Sequence, residues 1–210
     1  MARPIVVTSI NPYARLPQQL RCFAAWKALG VSVRTVNIEE ERDRLLEAGM
    51  EPSDIELLAP ERSGLDIHGS AVPRILPLLE ALRDSAENIP VMLVNSDLYP
   101  AMRSAEALTH WTRLAEAVAL TREECAAPET CHFADVRPYR GGLDAFVFSA
   151  ACLDRLIAAL RACTAGERMC FGIPGWDYLM GAVITSGDMA GGQVSGRIMD
   201  SGLLLHESHP

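Results

Sequence analysis

The sequence predicts an α/β fold: a single domain, residues 1–210, built on a mostly parallel central sheet flanked by helices. Three observations carry this. Short β-branched apolar runs recur along the chain, and segments with helical apolar spacing separate them. That alternation is the order that produces parallel strands joined by helical crossovers. The 210 residues, 49% hydrophobic and 22% charged, suffice for one core, and no linker or internal repeat divides them.

Ile5 to Ile10 is β-branched and reads as a buried first strand. Tyr13 to Leu29 has helical spacing, with Leu16, Leu20, Phe23, Ala24 and Trp26 on one side and Gly30 as its stop. Val31 to Val36 alternates and forms the second strand. Glu39 to Ala48 is a charged helix, and Ile55 to Leu58 a short strand. Val72 to Arg83 is a helix, with Pro73 tolerated in its first turn and Pro77 in a poorer place. Val91 to Val94 is a strand, Ala101 to Trp111 a helix, and Leu114 to Leu120 an apolar stretch leading into Thr121 and Arg122. Cys125 to Gly142, with its prolines and paired glycines, reads as a substrate-facing loop. Ala145 to Phe148 is a strand; Ala151 to Arg161 and Trp176 to Ile184 are helices. The glycine-rich stretch Ser186 to Gly196 follows a helix, so it reads as a flexible turn and not as a phosphate loop. Gly196 to Leu205 closes the domain, with Leu203 to Leu205 as a short last strand.

A net charge of -8 argues against a nucleic-acid partner, which needs a basic face. No apolar run approaches the roughly 20 residues that span a bilayer. The opening residues are too short an apolar stretch for a signal peptide. The expected compartment is cytoplasmic, with the six cysteines as reduced thiols. Cys22, Cys152 and Cys163 read as small core residues, and the spacing of Cys125, Cys131 and His132 matches no common zinc pattern. No G-x-S-x-G elbow supports a serine hydrolase. Ser9-Ile10-Asn11-Pro12 stands where a dinucleotide fingerprint would follow the first strand.

In such a sheet, ligands meet the carboxyl ends of the strands. Asn95-Ser96-Asp97 follows a buried strand, where Asp97 is placed to bind a divalent cation that bridges two phosphates; a plain turn favours the same residues. Trp176-Asp177 opens a helix, and Asp177 is either a helix-terminal carboxylate or a general base for an acceptor hydroxyl. His206 and His209 are either tail residues or imidazole ligands that complete the metal sphere of Asp97. Gly141 and Gly142, followed by Asp144, are either a tight turn or the backbone wall of a sugar pocket.

Taken in order, Thr8-Ser9-Ile10-Asn11-Pro12, Asn95-Ser96-Asp97, Gly141-Gly142-Leu143-Asp144-Ala145-Phe146-Val147-Phe148, Gly172-Ile173-Pro174-Gly175-Trp176-Asp177 and the closing Asp200 to His209 resemble the nucleotide-diphospho-sugar transferase superfamily, the glycosyltransferase A or Rossmann-like fold. The resemblance runs from Ile5 to His209. It implies a glycosyltransferase that takes a nucleotide-sugar donor and a glycan, lipid or protein acceptor, assisted by Mn²⁺ or Mg²⁺. Asp97 matches the last residue of a metal-binding DxD element whose first position is Asn95 here. His206 or His209 matches a late metal ligand, and Asp177 an acceptor-activating carboxylate. Thr8 to Asn11, Asn37 and Glu39 lie where base and ribose would rest, and Arg74 or Arg122 where the donor would be met. A non-catalytic nucleotide-sugar or glycan binder of the same fold stands as the alternative. A phosphatase using Asp97 and His206 stands as another.

Overall fold

The computed structural model describes residues 3–85, 89–186 and 195–208. The strands are β1 (Ile5–Thr8), β2 (Ser32–Ile38), β3 (Ile55–Leu58), β4 (Val91–Val94), β5 (Leu98–Pro100), β6 (Ala117–Leu120), β7 (Arg122–Cys125), β8 (Arg137–Tyr139), β9 (Ala145–Phe148), β10 (Gly196–Met199) and β11 (Leu204–Glu207). The helices are α1 (Leu16–Ala28), α2 (Glu39–Glu47), α3 (Leu65–His68), α4 (Ile75–Ser85), α5 (Glu106–Leu114), α6 (Ala150–Arg161), α7 (Thr164–Arg168) and α8 (Trp176–Thr185).

A seven-stranded sheet in the order β10-β6-β9-β4-β1-β2-β3 forms the centre, as the sequence predicts. Its strands pair in parallel except β9, which runs antiparallel to β4 and β6 on either side. Alternate residues of each strand point to opposite faces, which divides the core in two. Val7, Leu93, Phe146 and Phe148 face α4, α6 and α8; Val6, Met92, Val118 and Val147 face Phe23 and Trp26 of α1 and Leu108 and Trp111 of α5. No helix among the described residues is long and apolar enough to cross a membrane.

A second sheet, in the order β5-β11-β7-β8, stands beside the first. β11 is its hinge piece, antiparallel to β5 and parallel to β7. The Trp26 indole donates to the carbonyl of Leu98 at 3.0 Å and ties this sheet to α1.

Several expected boundaries move, each for a physical reason. The first strand ends at Thr8, and Ser9 and Ile10 leave it for the loop. The first helix starts at Leu16 rather than Tyr13, because the Asn11 side chain accepts from the Tyr13 amide at 2.8 Å and Arg15 takes a left-handed φ of 51°. The helix expected from Val72 begins at Ile75; Pro73 precedes it in a bridge to Ser63, and Pro77 falls in the first turn, where a missing N–H costs little. The segment Ala101 to Trp111 is not helical throughout, since α5 starts at Glu106. The expected loop Cys125 to Gly142 contains β8, which pairs with β7. Gly196 to Leu205 breaks into strands of two different sheets, with Gly202 at φ 56° between them. Residues 187–194 of the expected flexible turn lie outside the described residues.

Candidate functional site

A cavity of about 710 Å³ opens beyond the carboxyl ends of β1, β2 and β4. The loop after β1 contributes Ser9, Ile10, Asn11 and Tyr13. The turn after β4 contributes Asn95, Ser96 and Asp97; Ile38 comes from the end of β2, and Glu40 and Glu41 from the start of α2. Leu65 and the segment Gly69 to Val72 cover one side, and Phe171, Gly172 and Trp176 form another wall. Trp176 is buried and held by edge contacts to Phe146 and Phe171, with ring centroids 5.2 and 4.7 Å away.

Polar residues just outside the cavity fix its loops. The Thr35 hydroxyl accepts from the Ile10 amide at 2.9 Å and donates to Asn37 at 2.6 Å. The Asn37 amide donates to the Ile10 carbonyl at 2.8 Å and to Glu41 at 2.7 Å. Gln19 accepts from the Asn11 amide at 2.8 Å and from the Ser96 hydroxyl at 2.6 Å, so one side chain joins the loops after β1 and β4. Burial raises the Glu41 carboxyl above its ordinary value despite the Asn37 contact.

Behind Asp97 runs a line of charged groups. Nε2 of His206 stands 3.2 Å from Oδ2 of Asp97, and Nδ1 stands 3.0 Å from Oε2 of Glu124. The other Glu124 oxygen accepts from Arg122 Nε at 2.8 Å. Arg122 reaches Asp144 at 2.6 Å, and its guanidinium lies 3.9 Å from the Tyr139 ring centroid. Asp144 in turn accepts from the Asn95 side-chain amide at 2.9 Å, and its Oδ2 is buried with no hydrogen-bond partner.

Burial opposes charge on these groups, and their neighbours decide the outcome. For Asp97 and Glu124, burial pushes the carboxyls up, but the His206 hydrogen bond and charge outweigh it, and both lie below their ordinary values. For His206, burial pushes down, but the hydrogen bonds to Asp97 and Glu124 win and the imidazole lies above 6.5. For Asp144, burial wins over Arg122 and Asn95, and the carboxyl lies above its ordinary value.

The linkage has a definite sign. The raised His206 value contributes stability that is complete below 6.5 and is lost as pH rises through its folded-state value. The lowered carboxylates contribute stability that is complete above 4.5 and is lost as pH falls through their folded-state values. The stability difference between the protein and its His206→Gln variant, measured by urea titration in chelator, is therefore expected to peak between those two limits. A difference that stays flat from acid to alkaline pH would remove this electrostatic account.

The expected site residues divide accordingly. Ser9, Ile10, Asn11, Asn95, Ser96, Asp97 and Trp176 line the cavity, and His206 stands directly behind Asp97. His206 belongs to β11 itself rather than to a tail beyond a strand. Asn37 and Asp144 support the lining from behind, and Thr8 is buried at the end of β1 with its hydroxyl unpartnered. Glu39 is an exposed residue facing Arg42, while its neighbours Glu40 and Glu41 line the cavity. Arg74 is engaged elsewhere: it donates to both Asp66 oxygens, at 2.6 and 2.8 Å, and to the Ser63 carbonyl at 2.8 Å.

Asp177 is not among the lining residues; it accepts from the Leu143 amide at 3.1 Å. Gly141 and Gly142 are filled in rather than open, since a Cβ on either would lie within 2.9 Å of Tyr139 or Asp177. His209 lies outside the described residues. Sequence reasoning missed Glu124, Gln19 and Thr35. The available signal was a glutamine on the apolar side of α1 and an alternation of charges along β7.

The Asp97 and His206 donors fit adjacent positions around one divalent cation. Ligands about 2.1 Å from a cation at a right angle stand about 3 Å apart, and a proton on Nδ1 shared with Glu124 would leave Nε2 to ligate. Among the described residues no group of three His, Cys, Asp or Glu is arranged around a common ion position, so further ligands would come from substrate oxygens and water. Cys125, Cys131 and His132 form no such group either.

No protein-family model matches the chain, and no curated protein matches it. Among solved structures, the chain is similar to a Bacillus anthracis protein described as a glucose-1-phosphate thymidylyltransferase, in complex with sucrose. Identity is 10%, coverage is 97% of this chain and 91% of that one, and the TM-score is 0.47. It is also similar to HddC from Yersinia pseudotuberculosis, at 9% identity, with 96% of this chain and 94% of that one covered and a TM-score of 0.47.

Proposed function

We propose that the protein binds a nucleotide-diphosphate sugar in the cavity and, with Mn²⁺ or Mg²⁺, transfers the sugar to a glycan, lipid or protein acceptor. The observation that carries this reading is the meeting of the loops after β1 and β4 around one cavity, with Asp97 on its wall and His206 against Asp97. Asp97 and His206 would hold the cation. Glu124 fixes the His206 ring so that Nε2 faces Asp97. When bound, a divalent cation neutralises the charge that grows on a departing diphosphate. Ser9 to Asn11, clamped by Thr35, Asn37 and Gln19, form a fixed wall beside the donor, and Trp176 gives it a rigid apolar wall.

A second reading, donor or glycan binding without transfer, is favoured by Asp177. Its carboxylate accepts from the Leu143 amide and is absent from the lining, so the acceptor-activating role is not supported by its position. The test is a thermal-shift series with UDP, GDP, CDP and TDP and their sugars, with and without Mn²⁺, followed by a transfer assay on whichever donor binds. Binding to the folded state raises the melting temperature by linkage. A metal-dependent shift with one nucleotide supports the site. Sugar release to an acceptor then selects the transferase, and binding with no release selects the second reading. No shift with any nucleotide removes the transferase and donor binding alike.

A further inference from the structure

Two cysteines meet at the end of the small sheet. Cys125 closes β7 and is buried; Cys131 follows the turn Pro128–Thr130 and is half-buried. The turn is held in place. The Thr130 amide donates to the Ala127 carbonyl at 3.2 Å, and Glu129 pairs with Arg21 of α1 at 2.9 Å. It returns the chain to the strand it has just left, so the Cys125 sulfur lies against the Cys131 thiol and the Ala127 amide.

The two sulfurs differ in access. Solvent reaches Cys131, while burial and then the Cys131 sulfur hold the Cys125 thiol above its ordinary value. An accessible sulfur that meets the oxidant, with a second sulfur in contact behind it, is the arrangement that ends in a disulfide rather than in over-oxidation. Oxidation of Cys131 also removes one of the two causes that keep Cys125 protonated.

The pair sits where the last strand is tied down. Cys125 faces Glu207 of β11 in register, and its carbonyl accepts from the Ser208 amide at 2.8 Å. Arg21 joins the turn to the same strand, since it pairs with Glu129 and, at 2.7 Å, with Glu207. His206 is the next residue along.

We infer that Cys125 and Cys131 are a redox pair that a peroxide converts to a disulfide, and that this bond fastens the end of β11. The Cys131 thiolate attacks one peroxide oxygen and becomes a sulfenic acid, releasing hydroxide. The Cys125 sulfur, as its proton leaves, then attacks the Cys131 sulfur and expels the sulfenic oxygen as water. In sum, two thiols and one hydrogen peroxide give one disulfide and two waters, and a dithiol reductant reverses the change. The inference stands whether or not the cavity takes a nucleotide.

The experiment treats the folded protein with hydrogen peroxide, alkylates the remaining thiols after denaturation, and maps the peptides by mass. Cys22, Cys152 and Cys170, all buried, serve as the internal reference. The expected result is loss of two of the six thiols without dimerisation, one bridged peptide joining Cys125 to Cys131, and full reversal by dithiothreitol. Cys131→Ser should form no bridge, and Cys125→Ser should leave a sulfenic acid at Cys131 that dimedone traps. In the oxidised protein the Ser208 amide should exchange roughly tenfold more slowly than in the reduced one. Over-oxidation of Cys131 with no bridge, a bridge to any other cysteine, or thiols that resist both peroxide and diamide overturns the pair. A bridge that leaves Ser208 exchange unchanged overturns the fastening of β11. The mapping and the exchange comparison use the unaltered protein, so a failure of the buried-site variant to fold does not affect them.

Discussion

Replacing Arg122 with alanine is expected to destabilise the protein by about 3–5 kcal/mol, the usual effect of stripping one partner from a buried ion pair. Arg122 lies between Asp144 and Glu124, with side-chain exposures of 17%, 6% and 20% along the line. Without it, Asp144 keeps only the Asn95 amide, and its second oxygen is already without a partner. The contact with the Tyr139 ring is lost as well. Urea unfolding should show a lower midpoint with an unchanged slope. Adding Asp144→Asn should recover part of the loss, because the uncompensated carboxylate is then gone. Arg122→Lys should recover less than its charge suggests, since one ammonium cannot serve two carboxylates in the fork geometry of a guanidinium. A loss below about 1 kcal/mol in Arg122→Ala would mean that solvent screens the line as it does surface pairs.

Asp97→Ala is expected to abolish metal-dependent donor binding and turnover, with Mn²⁺ affinity lowered at least about a hundredfold. Glu124→Gln should give a smaller loss, about 10–100-fold, because it disturbs the orientation of a ligand rather than removing one. The ordering of the two variants is the informative part. Equal losses would place Glu124 among the ligands, and undiminished turnover in Asp97→Ala would remove the metal assignment. Metal affinity should also rise with pH through the raised His206 value, because a protonated imidazole cannot ligate.

The parts of the fold legible in the sequence are those whose side chains satisfy one local rule. β4 and β9 match their expected limits because all their residues are buried, so an apolar run marks them from end to end. β7 escapes the same rule. Arg122 and Glu124 point to one side and Glu123 and Cys125 to the other; Arg122 and Glu124 bond each other, and their further partners, Asp144 and His206, are 22 and 82 positions away in sequence. The start of α1 was obscured by Asn11 and Arg15, whose turn overrides the helical spacing of Tyr13 and its followers. At the site, Asn95 to Asp97 and Ser9 to Asn11 were legible because they follow buried strands. Asp177 stayed ambiguous for a related reason: a carboxylate at a helix start serves a neighbouring amide as readily as a substrate, and only the fold shows that it accepts from Leu143. Glu124 was invisible because nothing local pairs it with His206, 82 positions away.

The small sheet has one member on which the others depend. Among the described strands, β11 supplies the pairing of β5 and one side of β7, while β8 pairs with β7 alone. Lifting β11 would leave β5 without a ladder and withdraw His206 from Asp97 in the same event. The amides of Tyr99 and Ala101 should therefore exchange with solvent in step with those of Leu205 to Glu207, as a cooperative opening unit distinct from the central sheet. A ligand that draws on both Asp97 and His206 would slow that exchange at backbone positions it never touches.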